Sequence, residues 1–149
     1  MKQDPTPLKD LLQFRVEYVR RLGVAPARKK KHELELELRK KALLVALNGS
    51  KTNTCYCLLT SKSYLRSELA LRLAELSASH LNCPIGLVVV DLGNGQVKLS
   101  VRTSGAVNVA EICMQMGGGG HPKAAGAIVS KRTFYHYWVL RKGFFLPSS

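Results

Sequence analysis

Residues 117 to 126 read Gly-Gly-Gly-Gly-His-Pro-Lys-Ala-Ala-Gly. Four consecutive glycines strip every side chain from a loop and open backbone conformations that other residues avoid. Ordering such a stretch is entropically expensive, so a folded chain that keeps it has a reason. The commonest reason is close approach of backbone N–H groups to an anion, phosphate above all. His121 can add a hydrogen bond or a proton, and Pro122 stiffens the exit. A flexible linker is the competing reading. It fits poorly, because periodic apolar segments flank the loop and no Ser, Gln or Pro repeat accompanies it.

Working outward, Asn108 is placed to cap a helix through Ala110, Ile112, Cys113 and Met116 that stops at the glycines. After the loop, Ala125 to Val129 reads as a short strand, and Phe134 to Leu140 as a closing helix carrying Trp138. Upstream lies a hairpin: β-branched Ile85 to Asp91, the turn Gly93-Asn94-Gly95, and a return strand from Gln96 to Arg102. Ser67 to Leu76 is helical, with Leu69, Leu73 and Leu76 on one face. Ala42 to Leu47 and Cys55 to Thr60 suit buried strands on either side of an Asn48-Gly49-Ser50 turn. The Glu-Leu alternation of residues 33 to 38 has period two and predicts a half-buried strand. Residues 8 to 22 predict an amphipathic helix, and Ala25 to His32, with its run Arg28-Lys29-Lys30-Lys31, a basic linker.

The expected architecture is α/β, a mixed sheet flanked by helices, with a helical and basic extension over residues 1–32 and the main domain over 33–149. At 149 residues there is chain for one core, and no apolar run is long enough to span a bilayer. A net charge of +13 favours polyanionic partners, RNA or DNA first. Cys55, Cys57, Cys83 and Cys113 lack zinc-site spacing and read as buried thiols. With no signal peptide in view, the expected location is the cytoplasm or an organellar matrix, the mitochondrial one included.

Three features in order, Ser100-Val101-Arg102-Thr103-Ser104, the helix from Asn108 to Met116, and the loop Gly117 to Gly126, resemble the C-terminal DHH-associated domain of the DHH phosphoesterase family. Leu65-Arg66-Ser67-Glu68-Leu69 is similar to a helix start in the same family, and the resemblance runs from about Ala42 to Val129. It implies a substrate-binding role: Arg102 as the guanidinium clamp, Ser100 and Ser104 as hydroxyl donors, His121 and the amides of Gly118, Gly119 and Gly120 around phosphate, and Lys123 at the rim. The ligands implied are single-stranded RNA or DNA, short oligonucleotides or nucleotide phosphates. Arginine and glycine amides suit phosphate on chemical grounds as well.

Complete members of that family carry a preceding metal-binding domain with an Asp-His-His signature. Here the aspartates are Asp4, Asp10 and Asp91, and no Asp-His-His occurs. No cofactor is therefore expected on this chain, and manganese or magnesium only with a separate catalytic domain. Two partners stay open: a DHH catalytic domain, or a ribonucleoprotein in which the chain is a basic RNA-binding subunit.

Overall fold

A computed structural model describes residues 26–48 and 53–145. The helix expected over 8–22 lies outside them, as does most of the Asn48-Gly49-Ser50 turn. The chain divides into two compact units, residues 1–36 and 37–149.

In the order of the chain, the elements are α1 (Pro26–Leu38), β1 (Lys41–Leu47), β2 (Thr54–Leu59), a 3-10 turn (Ser63–Leu65), α2 (Arg66–Leu81), β3 (Ile85–Asp91), β4 (Gln96–Thr103), α3 (Val109–Met114), β5 (Gly119–His121), β6 (Ala124–Ser130), α4 (Lys131–Tyr137) and β7 (Trp138–Phe145). Among the described residues the strands form one seven-stranded sheet, ordered β5-β6-β4-β3-β2-β1-β7. Only β2 and β3 pair in parallel, joined by the α2 crossover, so the sheet is mixed as expected.

The two faces follow from strand alternation. Val97, Leu99 and Val101 of β4 join Val45, Cys55, Cys57, Leu87, Val89, Ala127 and Val129 in one core, closed by Val109, Ile112 and Cys113 of α3, Phe134 of α4 and Trp138. All four cysteines are buried free thiols. Burial pushes the Cys113 thiol up to about 11 and the others up as well, so they pack as small apolar groups. The opposite face is covered by α2, which buries Leu69, Ala70, Leu73, Ala74 and Leu76. This helix lies so close to β3 that a Cβ on Gly86 would stand 2.1 Å from the Ala70 carbonyl oxygen. Two hydroxyls fix its seat: Ser77 Oγ accepts from the Tyr56 N–H at 3.0 Å, and Ser104 Oγ donates to the Ala74 carbonyl at 3.2 Å.

Three expectations are corrected. The Glu-Leu repeat of 33 to 38 and the basic run before it are helical, not strand and linker. Glu, Leu and Lys are strong helix formers, and Pro26 at the first helical position is preset for a helix. The period-two reading also put the wrong residue inside, since Glu37 is buried whereas Leu36 is 41% exposed. The closing helix ends at Tyr137, and Trp138 begins a strand that pairs with Leu47 at the far end of the sequence. Ser130 starts that helix earlier than expected, its Oγ accepting from the Thr133 N–H. Finally, α2 runs on to Leu81, because nothing breaks it before Asn82 adopts a left-handed conformation at φ 55°.

Glu37 is held by Thr60, whose Oγ1 donates to Oε1 at 2.6 Å, and by the Lys40 ammonium at 2.9 Å, with Lys62 at 3.8 Å. Burial pushes this carboxyl up, but the Thr60 hydroxyl and the two ammonium groups outweigh it and hold the group below its ordinary 4.5. A depressed folded value means that the stabilisation is complete above about pH 4.5 and is lost as pH falls through the lower folded value. Urea midpoints measured down this range should fall less steeply for Glu37→Gln than for the wild type. Equal slopes would remove Glu37 from the acid response.

Candidate phosphate-binding groove

On the α2 side of the sheet, beside the helix, β4 and β6 form the floor of an open groove of about 560 Å³. Alternation brings Lys98, Ser100 and Arg102 of β4 to this face, and their cross-strand partners on β6 are Ile128, Gly126 and Ala124. The small residues opposite Ser100 and Arg102 leave room above the floor. Arg66 and Ser67 from the start of α2 line one side, and Gly117 to Gly120 line the other. Three cations face the groove, and no acidic residue among the described residues lines it.

The glycines do different work. Gly117 has φ +82° and ends α3: its N–H donates to the Met114 carbonyl at 3.1 Å while that of Gly118 donates to Cys113 at 2.9 Å. This pairing is a Schellman end. Gly118 also lies against β6, where a Cβ would meet the Gly126 carbonyl oxygen at 2.1 Å. Gly119 to His121 were expected as loop but form the short edge strand β5 on β6. At Gly119 a Cβ would find only Met114 Cγ, at 3.9 Å.

The structure brings together Ser100, Arg102, Gly118, Gly119 and Gly120, but not the rest of the expected set. His121 is exposed and bends back over its turn, Nδ1 accepting from the Lys123 N–H at 3.1 Å. Ser104 is engaged with Ala74, and together with Lys123 it lines a separate cleft beside Asn108 and Pro122. The Gly118 amide, expected to face phosphate, is taken by the helix end. Conversely, Arg66, Ser67 and Lys98 line the groove, although the first two were legible only as a helix start and Lys98 not at all. The signal available for Lys98 was its two-residue spacing from Ser100 and Arg102.

Arg102 carries the most telling atom. Its Nε is buried with no hydrogen-bond partner among the described residues. An unsatisfied buried donor costs about 1–3 kcal/mol, and more when charged. An anion oxygen in the groove would satisfy it. Arg66 is partly engaged, its Nη1 donating to the Ser63 carbonyl at 2.8 Å. The Lys98 ammonium has no hydrogen bond or ion pair with any described residue.

As to metals, no three His, Cys, Asp or Glu side chains among the described residues stand close enough to hold an ion. No helix among the described residues is long and apolar enough to cross a membrane.

Among solved structures the chain is similar to a pGpG-specific phosphodiesterase, PggH, of Vibrio cholerae, at 14% identity and a TM-score of 0.44 over 72% of this chain and 35% of that one. It is also similar to an exopolyphosphatase-related protein of Bacteroides fragilis, at 14% identity and a TM-score of 0.35 over 66% of this chain and 28% of that one. The chain thus spans about a third of the length of these structures. No match emerges among curated proteins. The sequence profile of the DHHA1 domain matches residues 53–135, from β2 through the groove to α4, and the chain belongs to that family.

Proposed function

We propose that the groove holds phosphate groups of nucleotides or short single-stranded oligonucleotides, and that the chain is the substrate-binding part of a DHH-type phosphoesterase. The observation that carries this reading is the unpaired, buried Arg102 Nε in a groove lined by two further cations and no acid. A guanidinium in that setting suits a phosphate oxygen better than any neutral ligand. Ser100, whose hydroxyl has no described partner, adds a donor beside it. Hydrolysis would fall to a DHH catalytic domain, and with it the manganese or magnesium that activates water. Arg102→Ala should weaken binding of a labelled mononucleotide by about 1.5–3 kcal/mol, read by fluorescence anisotropy at low salt. If wild-type protein binds no nucleotide under these conditions, the reading fails.

A second reading is favoured by charge. The net +13 and the basic residues Lys29, Lys30 and Lys31 of α1 suit a longer RNA backbone, as in a subunit of a ribonucleoprotein. Replacing these three lysines with Ala should leave mononucleotide affinity alone. It should lower affinity for an RNA of roughly 20 nucleotides and flatten its salt dependence.

A further inference from the structure

The groove is longer than one phosphate. Lys98 and Arg102 stand on the same face of β4, four residues and so about 13 Å apart along the strand. Standing out from the strand rather than leaning together, these two side chains meet separate phosphates of one chain. At the Lys98 end, β3 and β4 pair through Val90 and Lys98, and parallel β2 reaches Leu59 beside Val89. The chain leaves β2 at this end to start α2, so the first turn of the helix brings Arg66 to the Lys98 end of the groove. Ile128, directly across from Lys98, is 57% exposed and lines the same stretch. An unpaired ammonium, a guanidinium and an exposed apolar side chain at one spot form a combination that a nucleotide unit satisfies, phosphate on the cations and base on the apolar surface.

We infer that Lys98, Arg66 and Ile128 form a second nucleotide position, distinct from the Arg102 position, so that the groove selects for oligonucleotides over mononucleotides by engaging two separated phosphates. This inference rests on the reading of the groove as a phosphate site. It adds a ruler to that site. Arg102 with its buried Nε takes one phosphate whatever the ligand's length, and the Lys98 end contributes only when a second phosphate arrives on the same chain.

The test compares adenosine 5′-monophosphate with a 5′-phosphorylated triadenylate on intact protein, by calorimetry or by competition against a labelled probe at several salt concentrations. Wild type should bind the trinucleotide more tightly. Lys98→Ala should weaken the trinucleotide about tenfold and reduce its salt slope by about 0.7, while weakening the monophosphate far less. Lys98→Arg should restore most of the loss. Ile128→Ser should weaken the trinucleotide a few-fold without altering that slope. Arg132→Ala, which removes an equal charge from exposed α4, is the control. Equal losses for both ligands in Lys98→Ala, no loss for either, or the same loss in Arg132→Ala would overturn the second position. Those outcomes leave the Arg102 site standing. Failure of wild type to bind either ligand would overturn both.

Discussion

Gly86→Ala is expected to lose about 3 kcal/mol of stability, a large fraction of what a domain of this size has. The added Cβ would stand 2.1 Å from the Ala70 carbonyl oxygen, 2.4 Å from the Ala74 nitrogen and 2.9 Å from the Leu73 carbonyl carbon. All three are helix backbone, so no side-chain rotation relieves the clash. The helix must lift off β3, and with it go the buried side chains of Leu69 and Leu73 and the Ser104 bond to Ala74. Arg66 and Ser67 ride on the same helix, so the groove should widen too. Urea unfolding followed by far-UV circular dichroism measures the loss. A midpoint within error of wild type would mean that α2 is seated more loosely than these distances require.

Gly118→Ala is the second large effect, and Gly119→Ala is its counterpart. At Gly118 the new methyl would meet the Gly126 carbonyl oxygen at 2.1 Å and Ala127 Cβ at 2.6 Å. The edge strand has to part from β6, and the helix end whose closing bond Gly118 donates to Cys113 is disturbed with it. We expect about 2–3 kcal/mol of lost stability, and a fall in nucleotide affinity of tenfold or more in protein that is still folded. Gly119→Ala meets only Met114 Cγ at 3.9 Å, so its unfolding midpoint should stay within about 0.5 kcal/mol of wild type. Paired unfolding and binding curves for the two variants decide the matter. Equal stability losses at both positions would show that the loop is held by something other than its contact with β6.

What the sequence revealed and what it hid divide along physical lines. Elements set by local signals were legible: the β3–β4 hairpin from its Gly-Asn-Gly turn, α3 from Asn108, whose Oδ1 accepts from the Ala110 N–H at 3.0 Å, and the helix stop at the glycines. Elements set by distant partners were not. Trp138, Val139 and Leu140 look helical in isolation and become strand only because β1 offers an edge about 90 residues upstream. The groove shows the same split. Ser100 and Arg102 belong to a recognisable strand motif, whereas Lys98 depends on strand register and Arg66 on where the crossover helix starts. His121 lies outside the groove lining for a related reason. A ring next to a tight turn finds its own backbone partner at Lys123, and no sequence pattern announces that bond.

The pairing of β1 with β7 has a consequence for how such a domain travels between proteins. Both strands lie outside the matched residues 53–135, at the sheet edge opposite β5 and β6. Lys41 and Phe145 are direct partners, so their Cα atoms are about 5 Å apart. The sheet therefore begins and ends at one place, at the edge away from the groove. A circular permutant that joins these two points by a short loop, without α1, would keep the strand order around the groove, and a host chain could receive the sheet as an insertion in a single surface loop.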